Sequence, residues 1–290
     1  MKISTSTGYI SKILGLESSV RLLCEAGYDC IDISLYGEEN YFERENRAEI
    51  LSMLKSVSAS YGVSFNQAHA PFGGGYDKYT TELVPKLPAA FDFCGELGIE
   101  NVIVHPLQQG RYYGNEERLF DMNMEFYSKL APYAKNAGVK IGIENMWQYH
   151  PVTRYIVDDV CAPPAELCRY YDTLNDPDAF TVCLDLGHVA LCGREPEDAI
   201  RTIGHDRLGA LHVHDVDYKS DLHTLPGLGR INWDNVCHAL ADVDYKGVFT
   251  YEANTFFSGY DKEHYSSVAR FMAETARHLT SKIEKYKSEK

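Results

Sequence analysis

Short apolar, β-rich runs alternate with longer stretches of helical spacing along the whole chain. The β-rich runs fall at 2–5, 29–35, 63–69, 101–105, 139–144, 181–186, 209–214 and 247–252. Runs such as Asn101-Val-Ile-Val-His105 and Val139-Lys-Ile-Gly-Ile-Glu144 are almost continuously apolar, the pattern of strands covered on both faces. Helical spacing predicts helices over 17–27, 46–61, 85–98, 117–137, 163–173, 195–204, 232–242 and 265–286. Glycines close four of them, at Gly27, Gly62, Gly98 and Gly138, where the chain must turn left-handed before the next strand. Eight strands alternating with eight helices predict a parallel α/β sheet. Closure into a single (β/α)₈ TIM barrel over residues 1–290 is the arrangement this rhythm favours. The longer connections, 70–84, 106–116, 146–162 and 215–231, all follow strands and belong at one rim.

Composition narrows the function classes. Lys and Arg number 28 against 42 Asp and Glu, a net charge of −14. Such a surface repels phosphate backbones and argues against nucleic acid as a partner. No apolar run approaches the length of a membrane span, and Met1–Ile10 lacks the apolar core of a signal peptide, so a cytoplasmic protein is expected. The eight cysteines are scattered without a CxxC pair, which fits reduced thiols. A chain of 290 residues buries enough core to fold without a structural metal, so any metal site serves chemistry.

Candidate chemistry sits where the strands end. His69, His105, Glu144, Asp185 with His188, His212, and Glu252 close six successive strands, and Asp221 and His223 follow in the 215–231 loop. Each has a plain alternative: a histidine can be a hydrogen-bonded rim residue, and Asp185 can cap the next helix. In a barrel, however, all these ends converge on one mouth. Few cations lie nearby in sequence to neutralise Glu144, Asp185 and Glu252, and buried carboxylates need compensating charge. A divalent cation is therefore expected. Imidazole and carboxylate donors favour Mn²⁺ or Zn²⁺, with Mg²⁺ and Co²⁺ compatible. Gly73-Gly-Gly75 is a candidate lid hinge or phosphate loop.

Five segments, Glu144-Asn145, Asp185-Leu-Gly-His188, His212-Val-His-Asp215, Leu225-Pro-Gly-Leu-Gly-Arg-Ile-Asn-Trp233 and Glu252, resemble the xylose-isomerase-like TIM barrels over essentially the full chain. That superfamily includes sugar and sugar-phosphate isomerases and epimerases, ketose 3-epimerases, inosose dehydratases and the endonuclease IV family. The resemblance implies metal ligands at Glu144, Asp185, His212 and Glu252, with the two glutamates as the catalytic acid–base pair. It also implies a homo-oligomer. The sequence departs from the ketose 3-epimerases after Asp215, where no arginine follows. It matches the nine donors of the endonuclease IV family at His69, His105, Glu144, Asp185, His188, His212, Asp221, His223 and Glu252.

Two functions follow. The first is a carbohydrate isomerase or epimerase moving a proton through a metal-stabilised enediolate. In it His69, His105, His188, Asp221 and His223 bind further metal or substrate, and Phe72, Tyr113 and Trp147 wall the sugar. The second is a trinuclear phosphodiesterase, which the acidic balance opposes. The rim loops are also poor in cations: 70–84 holds Lys78, and 215–231 holds Lys219 and Arg230. A metal-dependent lyase or dehydratase on a sugar-like substrate is a third use of the same donors.

Overall fold

The computed structural model describes residues 1–36 and 41–290. β1 (Ile3–Thr5) leads into α1 (Gly8–Leu14), and α2 (Leu16–Ala26) follows. β2 (Cys30–Ser34) precedes α3 (Arg47–Tyr61); β3 (Ser64–His69) precedes the short α4 (Gly75–Lys78) and α5 (Leu87–Glu96). β4 (Asn101–Val104) precedes α6 (Glu116–Ala137). β5 (Lys140–Glu144) opens into an antiparallel hairpin of β6 (Trp147–Tyr149) and β7 (Ile156–Asp158), then α7 (Pro164–Leu174). β8 (Phe180–Asp185) carries α8 (Leu186–Leu191) and α9 (Pro196–Ile203). β9 (Leu208–His212) carries α10 (Trp233–Asp242), and β10 (Phe249–Tyr251) precedes α11 (Tyr265–Ser288).

The eight expected strands and eight expected helices are all present, with ends shifted by a few residues. Six strands form one parallel sheet in the order β2-β3-β4-β5-β8-β9, while β1 and β10 pair with each other, also in parallel. The two sheets meet through single bridges, Ser6 with Asp32 and Val213 with Tyr251. One uninterrupted eight-stranded ladder was expected; the ladder instead breaks at these two seams. Strands of three residues, as β1 and β10 are, leave little backbone to pair on a second side. The arrangement is nevertheless that of TIM-barrel proteins, with helices outside and strands buried on both faces. Every residue of β2, β4 and β8 is buried. No helix among the described residues is long and apolar enough to cross a membrane.

Residues 225–233 are wound around one carboxylate. Asp215 is fully buried and accepts hydrogen bonds from the backbone N–H of Val216, Gly227 and Ile231 and from the Trp233 indole, at 2.9, 2.8, 3.1 and 2.8 Å. A side chain at Gly229 would overlap the Asp215 carboxylate, which explains the glycine there. This anchor sets where the loop carrying Asp221 and His223 leaves β9. Asp215→Ala strands several buried donors at about 1–3 kcal/mol each. The expected destabilisation is at least about 3 kcal/mol, a melting-temperature drop of roughly 6–10 °C. An unchanged melting temperature would show that the loop is held some other way.

Candidate metal centre and cavity

Glu144 ends β5, Asp185 ends β8, His212 ends β9, and Glu252 directly follows β10. The parallel register carries them to one level; Asp185 and His212 are direct cross-strand partners. All four are buried, and one donor atom from each lies within 4.8 Å of the others. His212 Nδ1 stands 2.7 Å from Glu144 Oε1, 3.2 Å from Glu252 Oε2 and 3.9 Å from Asp185 Oδ2. Three carboxylates thus surround one imidazole. Burial alone would raise the Glu144 pKa, but His212 and His105 outweigh it and hold it well below the usual range. Glu144 Oε2 makes no directed hydrogen bond although His105 Nε2 is 3.1 Å away, and His212 Nε2 is also unpartnered. Buried atoms left this way point to a missing partner, and the donor set suits a divalent cation.

The surrounding histidines are oriented as ligands are. Nδ1 of His69 lies 3.0 Å from Ala70 O, that of His188 2.8 Å from Asn145 O, and that of His223 2.9 Å from Glu252 O. A carbonyl only accepts, so each Nδ1 carries the proton, and in the neutral ring Nε2 keeps its lone pair. This is the outer-shell support typical of metal-bound histidine. Nε2 of His69 faces Nε2 of His105 at 3.1 Å, and Nε2 of His223 faces Asp221 Oδ2 at 3.2 Å. Three further groups result among the described residues: His69, His105 and Glu144; His69, His212 and Glu252; and His188, His214, Asp221 and His223. Burial pushes the His69 pKa down to about 4, with help from His105. For His223 burial lowers the pKa, but the Asp221 hydrogen bond and the Glu252 charge raise it to about 10. In the metal-free protein a proton on His223 therefore offsets charge that an ion would otherwise neutralise.

These residues face a cavity of about 310 Å³, within the range of small-ligand sites. His69, His105, Glu144, His188, Asp221, His223 and Glu252 line it, as do Phe72 and Trp147; Asp185 and His212 are not among the lining residues. No Lys or Arg lines it among the described residues. Tyr113 does not line it: its hydroxyl donates to Asp158 at 2.9 Å and the residue is 59% exposed. Asp185 belongs to the four-residue cluster and also caps α8, accepting from His188 N at 2.6 Å. Asp221 and His223 both face the cavity. His223 has φ 42°, a conformation costing about 1–3 kcal/mol for a non-glycine residue. Its bonds to Glu252 O and Asp221 hold it there.

Two residues escaped the sequence reading. His214 is fully buried, and its Nε2 lies 3.0 and 3.1 Å from the two Asp185 oxygens. Its ring stacks on His223, centroids 4.1 Å apart. The available signal was its position two residues after His212, hence on the same face of the chain. Asp32 is buried in β2 between Ile31 and Ile33 and accepts from Gln67 at 3.2 Å. Burial, partly offset by His212 and reinforced by Glu252, raises its pKa to about 7. An acid inside an apolar strand was the signal there.

A family model described as xylose isomerase-like TIM barrel matches residues 20–275. Fructoselysine 3-epimerase of Escherichia coli O157:H7 is 23% identical over 256 residues, covering 84% of this chain and 87% of that protein. Among solved structures, a D-tagatose 3-epimerase-like protein superposes with a TM-score of 0.75 at 21% identity, covering 98% of this chain and 100% of the other. The IOLI protein with a bound zinc atom gives 0.68 at 20% identity, covering 99% of each chain. At these identities the structural likeness shows the shared fold.

A side chain at Gly187 would overlap the His214 ring, so only glycine lets His214 reach Asp185. Gly187→Ala is expected to push the ring away and weaken Zn²⁺ or Mn²⁺ binding about 10–100-fold, the usual effect of losing an outer-shell partner. Calorimetric titration of both proteins checks this; equal affinities would show that the His214–Asp185 contact does not support the centre.

Proposed function

Because this chain belongs to the xylose isomerase-like TIM-barrel family, we propose that it is a metal-dependent carbohydrate isomerase or epimerase working as one domain over residues 1–290. One observation carries the reading: Glu144 and Glu252, both buried, lie within hydrogen-bonding distance of the same His212 Nδ1 and both line the cavity. Glu144, Asp185, His212 and Glu252 would hold the ion, with Mn²⁺ or Zn²⁺ best suited and Mg²⁺ or Co²⁺ compatible. A bound divalent cation supplies Lewis acidity toward a carbonyl and its neighbouring hydroxyl.

The remaining chemistry belongs to the side chains. One of Glu144 and Glu252 takes the proton from the carbon beside the carbonyl, and the other returns it. His188, its Nδ1 held by Asn145 O, presents Nε2 to a substrate oxygen. Phe72 and Trp147 cover the apolar face of the sugar. His69, His105, Asp221 and His223 either bind further ions or grip substrate hydroxyls. The epimerase activity of the matching relative supports the reading. The nuclease alternative has the donor set in its favour, but the net charge of −14 and the cation-free cavity oppose it. The same two features favour a carbohydrate without phosphate. A homo-oligomer is the assembly the family resemblance suggests.

Glu144→Gln and Glu252→Gln should each keep the fold while slowing solvent-hydrogen exchange into a ketose about 10²–10⁴-fold, the range for a positioned acid or base. Deuterium incorporation followed by NMR over a ketose panel measures it, and removal of metal by chelator should have the same effect. Undiminished exchange by metal-free Glu252→Gln protein would overturn the reading. In the same preparations, loss of one metal equivalent in Asp221→Ala would assign an ion to the outer histidines. Unchanged stoichiometry with a raised KM would make Asp221 and His223 substrate-binding residues.

A further inference from the structure

The histidines, aspartate and glutamates that line the cavity all belong to groups that could hold an ion. Gln108 lines the same cavity and belongs to none of them. It lies in the connection between β4 and α6. Tyr76 and Tyr79 also line the cavity, but their hydroxyls are turned elsewhere. Tyr79 donates to the His105 carbonyl at 2.9 Å, and Tyr76 to Met122 Sδ at 3.7 Å.

The Gln108 amide is held in one orientation. Its Nε2 donates to Asp159 Oδ2 at 2.7 Å and to the Trp147 carbonyl at 3.3 Å. Both partners only accept, so exchanging nitrogen and oxygen would set oxygen against oxygen at the same distances. Asp159 is itself fixed: it is buried, and its Oδ1 accepts from the Val160 N–H at 2.8 Å. Trp147 is held by the pairing of β6 with β7. Both N–H groups of the amide are thus spent on the protein. Oε1 has no hydrogen-bond partner among the described residues, and it is not among the buried atoms closed off from solvent. An acceptor held in advance loses little freedom when a ligand arrives.

We infer that Gln108 is a specificity-determining residue: its Oε1 accepts a hydrogen bond from a substrate hydroxyl at the end of the sugar remote from the carbonyl. The carbonyl end lies at the donor cluster, and Gln108 stands outside that cluster. This rests on the carbohydrate reading above and narrows it to ketoses that carry a hydroxyl at that place.

The test pairs side-chain and substrate changes. Solvent-hydrogen exchange by the metal-loaded protein is measured on D-fructose, D-tagatose and D-psicose, each with its 4-, 5- and 6-deoxy analogues. In the wild type, losing the hydroxyl that Gln108 holds is expected to raise KM about 3–10-fold, the worth of one neutral hydrogen bond, with a smaller change in the rate at saturation. Gln108→Met keeps the length of the side chain without the amide oxygen, and Gln108→Leu is the second variant. In both, that one analogue should lose its penalty while the other analogues keep theirs, because general disturbance of the wall cancels in the ratio. A wild type indifferent to the loss of every one of these hydroxyls would overturn the inference. So would variants whose KM rises by the same factor for every probe, which would make Gln108 only a brace between Asp159 and the hairpin. In both cases the carbohydrate reading survives, because ketoses still exchange. If no ketose exchanges with the wild type, that reading falls and the inference falls with it.

Discussion

The site is organised by a charge that the fold itself leaves unpaid. Glu144, Asp185 and Glu252 are drawn out of water at the ends of parallel strands, and no lysine or arginine lines the cavity among the described residues. Isolated carboxylates in such a place would cost several kcal/mol apiece. The surrounding structure answers with imidazoles. His212 bridges Glu144 and Glu252, His105 stands against Glu144, and His214 against Asp185. Imidazoles are a reversible answer, since a ring can carry a proton or give a lone pair to an ion. Arginine would neutralise the same carboxylates permanently and close the site to metal.

The supporting features follow from that constraint. Backbone carbonyls of Ala70, Asn145 and Glu252 fix three of the rings, so the site's orientation is set by main chain rather than by mobile side chains. Gly187 exists to admit His214, and the left-handed His223 is strain accepted to bring Asp221 and His223 together. The rim loop that carries them is wound on Asp215. Asp215 and Asp185 are both buried acids of one small region, yet they do different work. Asp215 is saturated by four N–H donors and has nothing left to offer a ligand. The oxygens of Asp185 are shared between a helix cap, a histidine and the four-residue cluster.

Much of this was legible in the chain. Strands covered on both faces read as apolar runs, so the polar residues ending them stood out, and those residues do converge. What was not legible had local causes. β6 and β7 are three residues each, too short to show alternation, and their pairing depends on a turn that no strong signal announces. α1 was hidden because Gly15 (φ 78°) divides it from α2 within a few residues. The seams beside β1 and β10 reflect strand length, which periodicity does not fix within a residue or two. His214 was passed over although it lies two residues after His212 and shares its face. Tyr113 was placed with the cavity wall because it is aromatic and on a rim loop. The direction of such a ring is decided by a partner, here Asp158, that lies 45 residues away.

Donor geometry and substrate choice are separate questions in this protein. The nine donors shared with the endonuclease IV pattern describe how cations could be held, and a set that holds cations serves hydrolysis, proton transfer or elimination alike. What a polyanion needs besides metal is a basic approach, and a net charge of −14 weighs against one. What a sugar needs is an apolar face for its C–H surface and hydrogen-bonding groups for its hydroxyls. Phe72, Tyr76 and Trp147 line the cavity with apolar surface, and the outer histidines with Asp221 line it with hydrogen-bonding groups. The choice between these substrates therefore lies in the walls and the surface charge rather than in the donors alone. The decisive residues are then the ones that make no contact with a metal.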